Sequence, residues 1–538
     1  MTSRSAEILR FKQQGPQMQR LNDSRIVCFV IAAHLVLTVT LAYFVTIDVD
    51  ETFTLATTSH GPVHAVERAI SFELQPPLYF GVLSLWRAAD DSVFHARLFS
   101  VLCVALALVV LARFVRRFLP DLTAGLVVAP AAFSPMIIYA AIEARCYAMV
   151  ILLSALLVSL FASGFMVTAP RLRSRLAFAV AAVASLYTFY FLGFMIAAGG
   201  VILVAAKRWR TACHYFLTLV GVAICFAPLA VLVNGQLESH TTMVTTAPGL
   251  FETLRSVSWQ LRSMVLPVDW EPLEQIAKAG WLVLAGAICF SLSRNWREFV
   301  DRSKLAVLCG YLAIVACYVA VVQILGGNLL GERHFSLLLI PTILAVSYCV
   351  FIAGGRRAMQ CAVLLVMPFM LASLPVRYPH GAKAGDWQRV AELVMQHEKE
   401  QQPVVIFTPA AARALQHYYA GKNQLVPLPQ AQSSDRYAPQ DFQLHSPEAV
   451  SDCVSDASPD HKTLWLVLDS ERVDDVGFGI EHLKAYIDRQ YDVEARFTLH
   501  GSTLLKCNRK AEPLKHRLSV QTETAVFRGR QKERPIIK

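Results

Sequence analysis

Residues 26–51 read IVCFVIAAHLVLTVTLAYFVTIDVDE, an unbroken apolar block that ends in a cluster of three carboxylates. The apolar part, residues 26–47, matches the roughly 20 residues that an α-helix needs to cross a bilayer. Similar blocks recur along the chain, whose mean hydropathy is +0.44. Only 17% of the 538 residues are charged, whereas soluble domains carry roughly 25%. The sequence therefore predicts a polytopic membrane protein rather than a soluble enzyme.

Eleven apolar segments predict eleven membrane spans. They lie near residues 26–47, 95–112, 122–142, 147–167, 175–190, 192–206, 213–233, 279–293, 305–325, 335–353 and 358–375. Several of these segments are short, and the stretch 175–206 must form a tight hairpin of two helices.

Basic residues are concentrated in the N-terminal segment and in the loops that this count places inside the cell. These regions hold 20 Lys and Arg, against about seven in the outer connections. The positive-inside bias predicts a cytoplasmic N-terminus and an outer C-terminal region. Residues 509–538 add nine Lys and Arg against three Glu, or +6 of the net charge of +10. Because aromatic residues do not interleave with a soluble basic face, the net charge does not indicate nucleic-acid binding.

The composition divides the chain into three parts. Residues 1–375 are predicted to form a membrane domain, in which the outer loop 48–95 holds one or two interfacial helices and the loop 234–278 is of the same kind. Residues 385–509 are predicted to be a periplasmic α/β domain, and 510–538 a disordered basic tail. The strands predicted in this domain are 404–407, 464–468, 493–499 and 502–507, and the last two meet at a Gly501 turn. The predicted helices are 410–420 and 479–490. Cys453 and Cys507 in this domain would form either a disulfide or two separate thiols.

The three carboxylates that end the first block are Asp48, Asp50 and Glu51. Acidic residues at a solvated helix end need no function. A carboxylate buried at the membrane interface, however, costs free energy unless it is paired or used. One such group would serve as a general base that takes a proton from an attacking hydroxyl.

A series of short motifs extends from this cluster through the outer side of the predicted membrane domain. The motifs are Asp50-Glu51, Gln75-Pro76-Pro77-Leu78-Tyr79-Phe80, Ala96-Arg97-Leu98-Phe99-Ser100, Ser134-Pro135, Glu143-Ala144-Arg145-Cys146-Tyr147 and Gly331-Glu332-Arg333-His334-Phe335. Their order and spacing over residues 45–345 resemble the integral-membrane GT-C glycosyltransferases. That superfamily includes the protein O-mannosyltransferases of glycosyltransferase family 39 and the lipid A aminoarabinose transferases. Two departures are Gln75, where the family commonly has His, and residues 187–190, which lack a histidine that relatives often carry.

The resemblance implies a mostly α-helical GT-C fold in the membrane, followed by a soluble α/β domain. It also implies transfer of a sugar from a polyprenyl phosphate donor to a hydroxyl, with inversion, on the periplasmic side of the bacterial inner membrane. The acceptor would be a glycolipid, a lipopolysaccharide, a glycan or a protein.

The same resemblance gives roles to individual residues. Asp50 would be the base, and Glu51 would position it or share a divalent cation with it; no other cofactor is implied. Donor-phosphate binding falls to Arg145, Arg333 and His334. The residues expected to position donor or acceptor are Asp48, Gln75, Tyr79, Glu143 and Tyr147.

Other interpretations remain open from the residues alone. Arg333 would equally be a snorkelling anchor at the membrane boundary, and Arg145 an internal ion pair with Glu143 or Asp50. The whole chain would alternatively be a transporter or a lipid-linked sugar flippase, which predicts charged groups within the spans and internal repeats. A membrane scaffold would leave the acidic and basic motifs without a purpose.

Overall fold

The structure is a computed structural model, and it describes residues 3–241, 249–264, scattered positions between 275 and 293, 302–325, 332–430, 443–457, 462–469 and 478–510. The chain forms two compact units that meet in sequence between Lys383 and Ala384. We call them the membrane unit and the C-terminal unit.

All regular secondary structure in the described part of the membrane unit is helical. Its helices are α1 (Ser3–Phe44), α2 (Val49–Thr57), α3 (Pro62–Ser71), α4 (Leu78–Arg87), α5 (Val93–Phe118), α6 (Ala124–Ala132), α7 (Pro135–Ala141), α8 (Tyr147–Phe161), α9 (Leu172–Leu186), α10 (Leu192–Ala205), α11 (Trp209–Thr241), α12 (Leu250–Ser263), α13 (Arg302–Leu325) and α14 (Leu339–Arg377). A π-helical turn, Ala162–Met166, extends α8, and a 3₁₀ helix, Glu332–Leu338, leads into α14.

Five helices of the described chain are long and apolar enough to cross a membrane, and a bent pair would make a sixth. The chain is therefore a multi-pass membrane protein. The predicted hairpin at 175–206 is present as α9 and α10, but these helices have only 15 and 14 residues. The span predicted at 279–293 is described only at scattered positions, all of them helical. Helix length alone thus does not yield the count of eleven.

Helix breaks divide one predicted span and separate two others. The span at 122–142 is divided into α6 and α7, which meet at an angle of 65°, with Pro135 in the first turn of α7. Helix α14 has 39 residues and contains non-helical backbone at Gly354 and Gly355. At 1.5 Å per residue a straight helix of that length would be about 58 Å long, against a hydrocarbon core of about 30 Å. The break therefore separates the two spans predicted at 335–353 and 358–375.

The loop 48–95 holds three short helices, α2 to α4, rather than the predicted one or two. Helix α2 begins with a capping box: the Asp48 side chain accepts from the backbone N–H of Asp50 at 3.2 Å, and the Glu51 side chain accepts from the backbone N–H of Asp48 at 3.1 Å. Such reciprocal bonds satisfy N–H groups that a helix start otherwise leaves without partners. Helix α4 begins directly after Pro77, as the proline pair predicts.

The loop predicted at 234–278 contains α12, whose exposed residues include Leu250, Phe251 and Leu254. Polar residues of the same helix, Thr253 and Gln260, are buried. An apolar face turned outward is the arrangement expected of a helix that contacts lipid.

The C-terminal unit is a mixed α/β layer, which confirms the predicted fold class. Its elements are α15 (Trp387–His397), β1 (Val404–Phe407), α16 (Pro409–Gln416), β2 (Leu425–Pro427), α17 (Pro447–Ala457), β3 (Thr463–Asp469), α18 (Ile480–Gln490), β4 (Tyr491–Leu499) and β5 (Ser502–Arg509). The strand order is β2-β1-β3-β5-β4, with β2, β1 and β3 parallel and the β3–β5 and β5–β4 pairs antiparallel.

All four predicted strands are present, and the turn between β4 and β5 contains Gly501 at φ +73°, a conformation that glycine adopts without steric cost. The sequence did not predict the three-residue strand β2 or the helices α15 and α17. Cys453 and Cys507 are separate thiols and do not form a disulfide. The predicted disordered tail lies outside the described residues from 511 onward.

Candidate active site

The Glu51 carboxylate is fully buried at the start of α2, and five hydrogen bonds reach it. Arg97 on α5 donates two of them, from Nε at 2.7 Å and from Nη2 at 2.6 Å. Lys383 Nζ lies at 2.6 Å and the backbone N–H of Ala144 at 2.9 Å; the backbone N–H of Asp48, already described, is the fifth. Glu51 is thus held by groups from four separate segments of the membrane unit.

Arg97 also binds the end of α1. Its Nη1 donates to the carbonyl oxygens of Ala42 at 3.0 Å and Val45 at 2.7 Å, and its Nη2 donates to that of Thr46 at 2.9 Å. The last carbonyls of a helix have no partner within the helix and carry partial negative charge. Arg97 therefore fixes the point where the first membrane helix ends and the carboxylate cluster begins.

Lys383 joins a second buried carboxylate to this network. Its Nζ lies 3.0 Å from Glu143 Oε2 and 3.2 Å from the carbonyl oxygen of Ile142. The backbone N–H of Lys383 donates to Thr46 Oγ1 at 3.0 Å. The Lys383 side chain is 3% exposed and that of Glu143 is 0% exposed, so a four-residue charge network of Arg97, Glu51, Lys383 and Glu143 is closed off from solvent.

The two carboxyls of this charge network differ in acidity. Burial alone would raise the pKa of Glu51, but the adjacent Arg97 and Lys383 charges hold that pKa well below its usual range. Burial raises the pKa of Glu143 to about 8, since Lys383 offsets only part of the cost and Glu51 adds repulsion. The difference in pKa follows from the number of neighbouring cations. Glu51 contacts Arg97 and Lys383, whereas Glu143 contacts Lys383. The Oε1 atom of Glu143 has no hydrogen-bond partner in the described chain.

Substitution Glu143→Gln is expected to flatten the pH dependence of stability. The unfolded chain releases this proton near pH 4.5 and the folded protein near 8. The stabilisation is therefore complete below about pH 4.5 and is lost as the pH rises through about 8, a change of a few kcal/mol. Thermal unfolding of wild type and variant between pH 5 and 8.5 measures the effect. The exposed α3 carboxyl variant Glu67→Gln should retain the wild-type slope, and an equal slope in Glu143→Gln would contradict the shift.

Asp50, the predicted base, is paired with Arg333. The guanidinium Nη1 atom of Arg333 donates to Asp50 Oδ2. The Asp50 side chain is 17% exposed and the Arg333 side chain is 37% exposed. This ion pair is therefore accessible, whereas the adjacent charge network is buried. Arg333 is therefore more than a boundary anchor: it lies against the carboxylate that the sequence singles out.

Arg145 forms an ion pair with a residue that the sequence did not single out. Its Nη1 lies 3.0 Å from Glu73 Oε2 and 2.9 Å from Thr54 Oγ1, and it reaches the backbone oxygen of Asp50 at 3.4 Å. The carboxylate partner is thus Glu73, whereas the sequence suggested Glu143 or the Asp50 side chain. Within the described chain Arg145 Nε has no hydrogen-bond partner.

His334 lies in an aromatic setting on the 3₁₀ helix that also carries Arg333. Its ring stacks on Phe189 at a centroid distance of 6.0 Å and meets Tyr147 edge-on at 6.5 Å. The backbone oxygen of His334 accepts from Tyr318 Oη on α13 at 2.6 Å. These contacts fix the segment that presents Arg333 to Asp50.

Three more residues predicted to position substrates surround the same region. Asp48 caps α2, as described. Gln75 Oε1 accepts a weak hydrogen bond from Cys146 Sγ at 3.9 Å. Tyr79 is fully buried with its ring 6.1 Å from Phe99, and among the described residues its hydroxyl has no partner.

The structure thus brings the predicted residues of the quoted motifs to one region of the membrane unit. Sequence reasoning missed three contributors: Glu73, Lys383 and the role of Arg97. Arg97 lies in a motif already quoted, and Glu73 lies two residues before Gln75, so both carried a weak positional signal. Lys383 carried none, because its acceptors are 332 and 240 residues away in the sequence.

The divalent cation predicted at Asp50 and Glu51 stays a prediction. Such an ion would have to displace Lys383 or Arg97 from Glu51, or bind at Asp50 alone. The described part of the chain contains no group of three or more His, Cys, Asp or Glu side chains arranged to hold a metal ion.

Comparisons with known proteins bear on the fold. No protein-family model matches the chain, and no curated protein matches it. Among solved structures, the chain is similar to the apo crystal structure of ArnT from Cupriavidus metallidurans, with a TM-score of 0.50 and 13% identity over 89% of this chain and 97% of that one. A structure of the same protein bound to undecaprenyl phosphate gives a TM-score of 0.49 and 14% identity over the same shares. The likeness to apo ArnT confirms the predicted GT-C fold, and at this identity it speaks to the fold alone.

Proposed function

We propose that this GT-C-fold protein is a membrane glycosyltransferase that moves a sugar from a polyprenyl phosphate donor to an acceptor hydroxyl. The acceptor would be a glycolipid, a lipopolysaccharide, a glycan or a protein. The observation that carries the proposal is the accessible Asp50–Arg333 ion pair. Asp50 directly precedes Glu51, which belongs to the buried charge network. The ion pair supplies a proton acceptor and a phosphate-binding cation side by side.

In the proposed reaction the acceptor hydroxyl attacks the anomeric carbon of the donor sugar. Asp50 takes the hydroxyl proton, the new C–O bond forms, and the bond from the anomeric carbon to the phosphate oxygen breaks. The leaving polyprenyl phosphate keeps the electron pair. Direct displacement inverts the configuration at the anomeric carbon. General-base assistance of this kind contributes about 10²–10⁴-fold to a rate.

Arg333 would bind the donor phosphate by exchanging part of its contact with Asp50 for phosphate oxygens. Guanidinium–phosphate hydrogen bonds are charge-assisted and frequently bidentate. The exchange has a chemical benefit, since it leaves the Asp50 carboxylate free to accept a proton. Arg145 is the second cation, with Nη1 anchored by Glu73, and His334 would add a donor from the same 3₁₀ helix.

The proposal places this reaction at the periplasmic face of the bacterial inner membrane. The support is the distribution of Lys and Arg described above. The domain limits proposed from sequence are 1–375 for the glycosyltransferase domain, 385–509 for the periplasmic domain and 510–538 for the tail. The C-terminal unit would then help to select the acceptor. A topology reporter inserted after Ala384 tests the placement, and cytoplasmic reporter activity there would overturn it.

Sugar transfer by the purified protein from a panel of radiolabelled polyprenyl phosphate sugars tests the reaction. Transfer from at least one donor supports the proposal; no transfer from any donor, to a membrane lipid extract or a hydroxyl-bearing glycan, contradicts it. The transporter alternative predicts movement of the labelled lipid between leaflets of a vesicle with no new glycosidic bond.

Substitution Arg333→Ala is expected to raise the KM for the donor about 10- to 100-fold, because charged hydrogen bonds contribute roughly 1.5–3 kcal/mol. The matched control is Arg116→Ala. Arg116 is also 37% exposed and pairs with Asp23 at 3.0 Å, but it lies at the other end of α5 from Arg97. A change of KM that is equal in the two variants would remove Arg333 from donor binding.

A further inference from the structure

Lys383 is a buried cation that the proposed reaction does not use. It lies in the membrane unit, six residues after the end of α14, and its side chain is 3% exposed. Burying an ammonium group costs several kcal/mol unless partners compensate. Two carboxylates and a backbone oxygen, those of Glu51, Glu143 and Ile142, provide that compensation.

Each of the two carboxylates is close in sequence to a residue of the proposed reaction. Glu51 directly follows Asp50, and Glu143 precedes Arg145 by two residues. Lys383 Nζ therefore bridges the segment that carries the proposed base and the segment that carries a proposed phosphate ligand. The backbone N–H of Ala144, which bonds to Glu51, makes the same connection directly.

We propose that Lys383 is a positioning residue, which holds the Asp50 segment against the Arg145 segment. The proposal rests on the proposed function, and it adds a residue from a distant part of the chain that touches none of the reacting groups. Its geometric half, the joining of the two segments, holds or fails whatever the donor is.

Hydrogen bonding explains why a lysine stands here. The charge network has two carboxyl groups and two cations, and in the described chain Lys383 is the cation that contacts Glu143. Without the lysine, Glu143 Oε2 would lose this buried hydrogen bond. The backbone N–H of Ala144 would then be left to join the two segments without the Lys383 side chain, and a displacement of about 1 Å at a reaction centre can cost 10²-fold in rate.

The experiment compares Lys383→Met/Glu143→Gln with Glu143→Gln alone. The double variant keeps Arg97 and Glu51 as a balanced pair, so it is expected to fold at least as well as the single variant. In Glu143→Gln the new amide oxygen can still accept from Lys383, so the bridge persists. The comparison therefore removes the lysine without leaving the Glu143 carboxyl group buried and without its partner in either variant.

Two readouts are expected to change in the double variant relative to Glu143→Gln. Backbone hydrogen exchange should become faster in residues 49–57 and 142–147 together, and sugar transfer should fall about 10²-fold. The control Lys506→Met removes a lysine–glutamate pair of the same 3.0 Å length on strands β4 and β5, and should change neither readout in the membrane unit.

Several outcomes would overturn the inference. Unchanged exchange in both segments would show that Lys383 does not join them. Transfer by the double variant that equals transfer by Glu143→Gln would show that Lys383 serves folding and does not position the reacting groups. A wild-type protein without transfer would contradict the proposed function and the catalytic half of this proposal, while the exchange data would still decide the geometric half.

Discussion

Asp50→Asn is expected to lower the turnover of sugar transfer by about 10²–10⁴-fold, with little change in the KM for the donor. The amide has nearly the shape of the carboxylate but cannot accept the acceptor's proton. Loss of an interaction that is made only in the transition state lowers kcat, whereas loss of ground-state binding raises KM. The Asp50→Asn and Arg333→Ala variants should therefore separate into opposite kinetic classes.

Stability supplies the internal check on that result. The Asp50–Arg333 ion pair is partly exposed, and such pairs contribute about 0–1 kcal/mol to stability. Asp50→Asn should therefore unfold at nearly the wild-type temperature. The control Asp91→Asn, a loop carboxylate whose side chain is 78% exposed, should keep both stability and turnover. Undiminished transfer by Asp50→Asn would remove Asp50 as the base.

Arg97→Met is expected to lower the free energy of unfolding of the membrane unit by about 3–5 kcal/mol, the range for breaking one partner out of a buried ion pair. Glu51 would lose two charged hydrogen bonds, and three carbonyl oxygens at the end of α1 would lose their donor. Whole proteins are stable by only about 5–15 kcal/mol, so much of the variant should be unfolded or aggregated after extraction.

Thermal unfolding in detergent, followed by the loss of monodisperse protein, measures that change. Arg116→Met serves as the control, because it breaks an ion pair of 3.0 Å whose arginine is 37% exposed, and such a pair is worth at most about 1 kcal/mol. If Arg97→Met were as stable as Arg116→Met, the charge network would not hold α1, α2 and α5 together.

The fold was largely predictable because its signals are local. Apolar blocks predict spans wherever a bilayer must be crossed, and four strands of the C-terminal unit follow from short β-branched runs and a Gly501 turn. The break between α6 and α7 was missed although Ser134-Pro135 was noted, because an apolar run hides a bend. Strand β2 was missed because three residues ending in Pro427 give little periodicity.

The candidate site was predictable only in part, since its partners are set by tertiary structure. The motifs identified Asp50, Arg145 and Arg333, but not which carboxylate each cation would meet. Glu73 rather than Glu143 pairs with Arg145, and Glu143 pairs with Lys383. Sequence position indicates where a charge lies along a segment; it does not indicate whether that charge is buried or which distant segment neutralises it.

The place of Lys383 in the sequence has a consequence for biosynthesis. Chains emerge from the ribosome N-terminus first, and their parts fold in that order. Glu51 and Glu143 are therefore inserted long before the lysine that both will contact, which follows the whole of α14. Until that residue is translated, Glu51 and Glu143 lack the side chain that contacts them both. The Lys383 contacts therefore form only after α14 is complete, and a chain that stops before Lys383 lacks them.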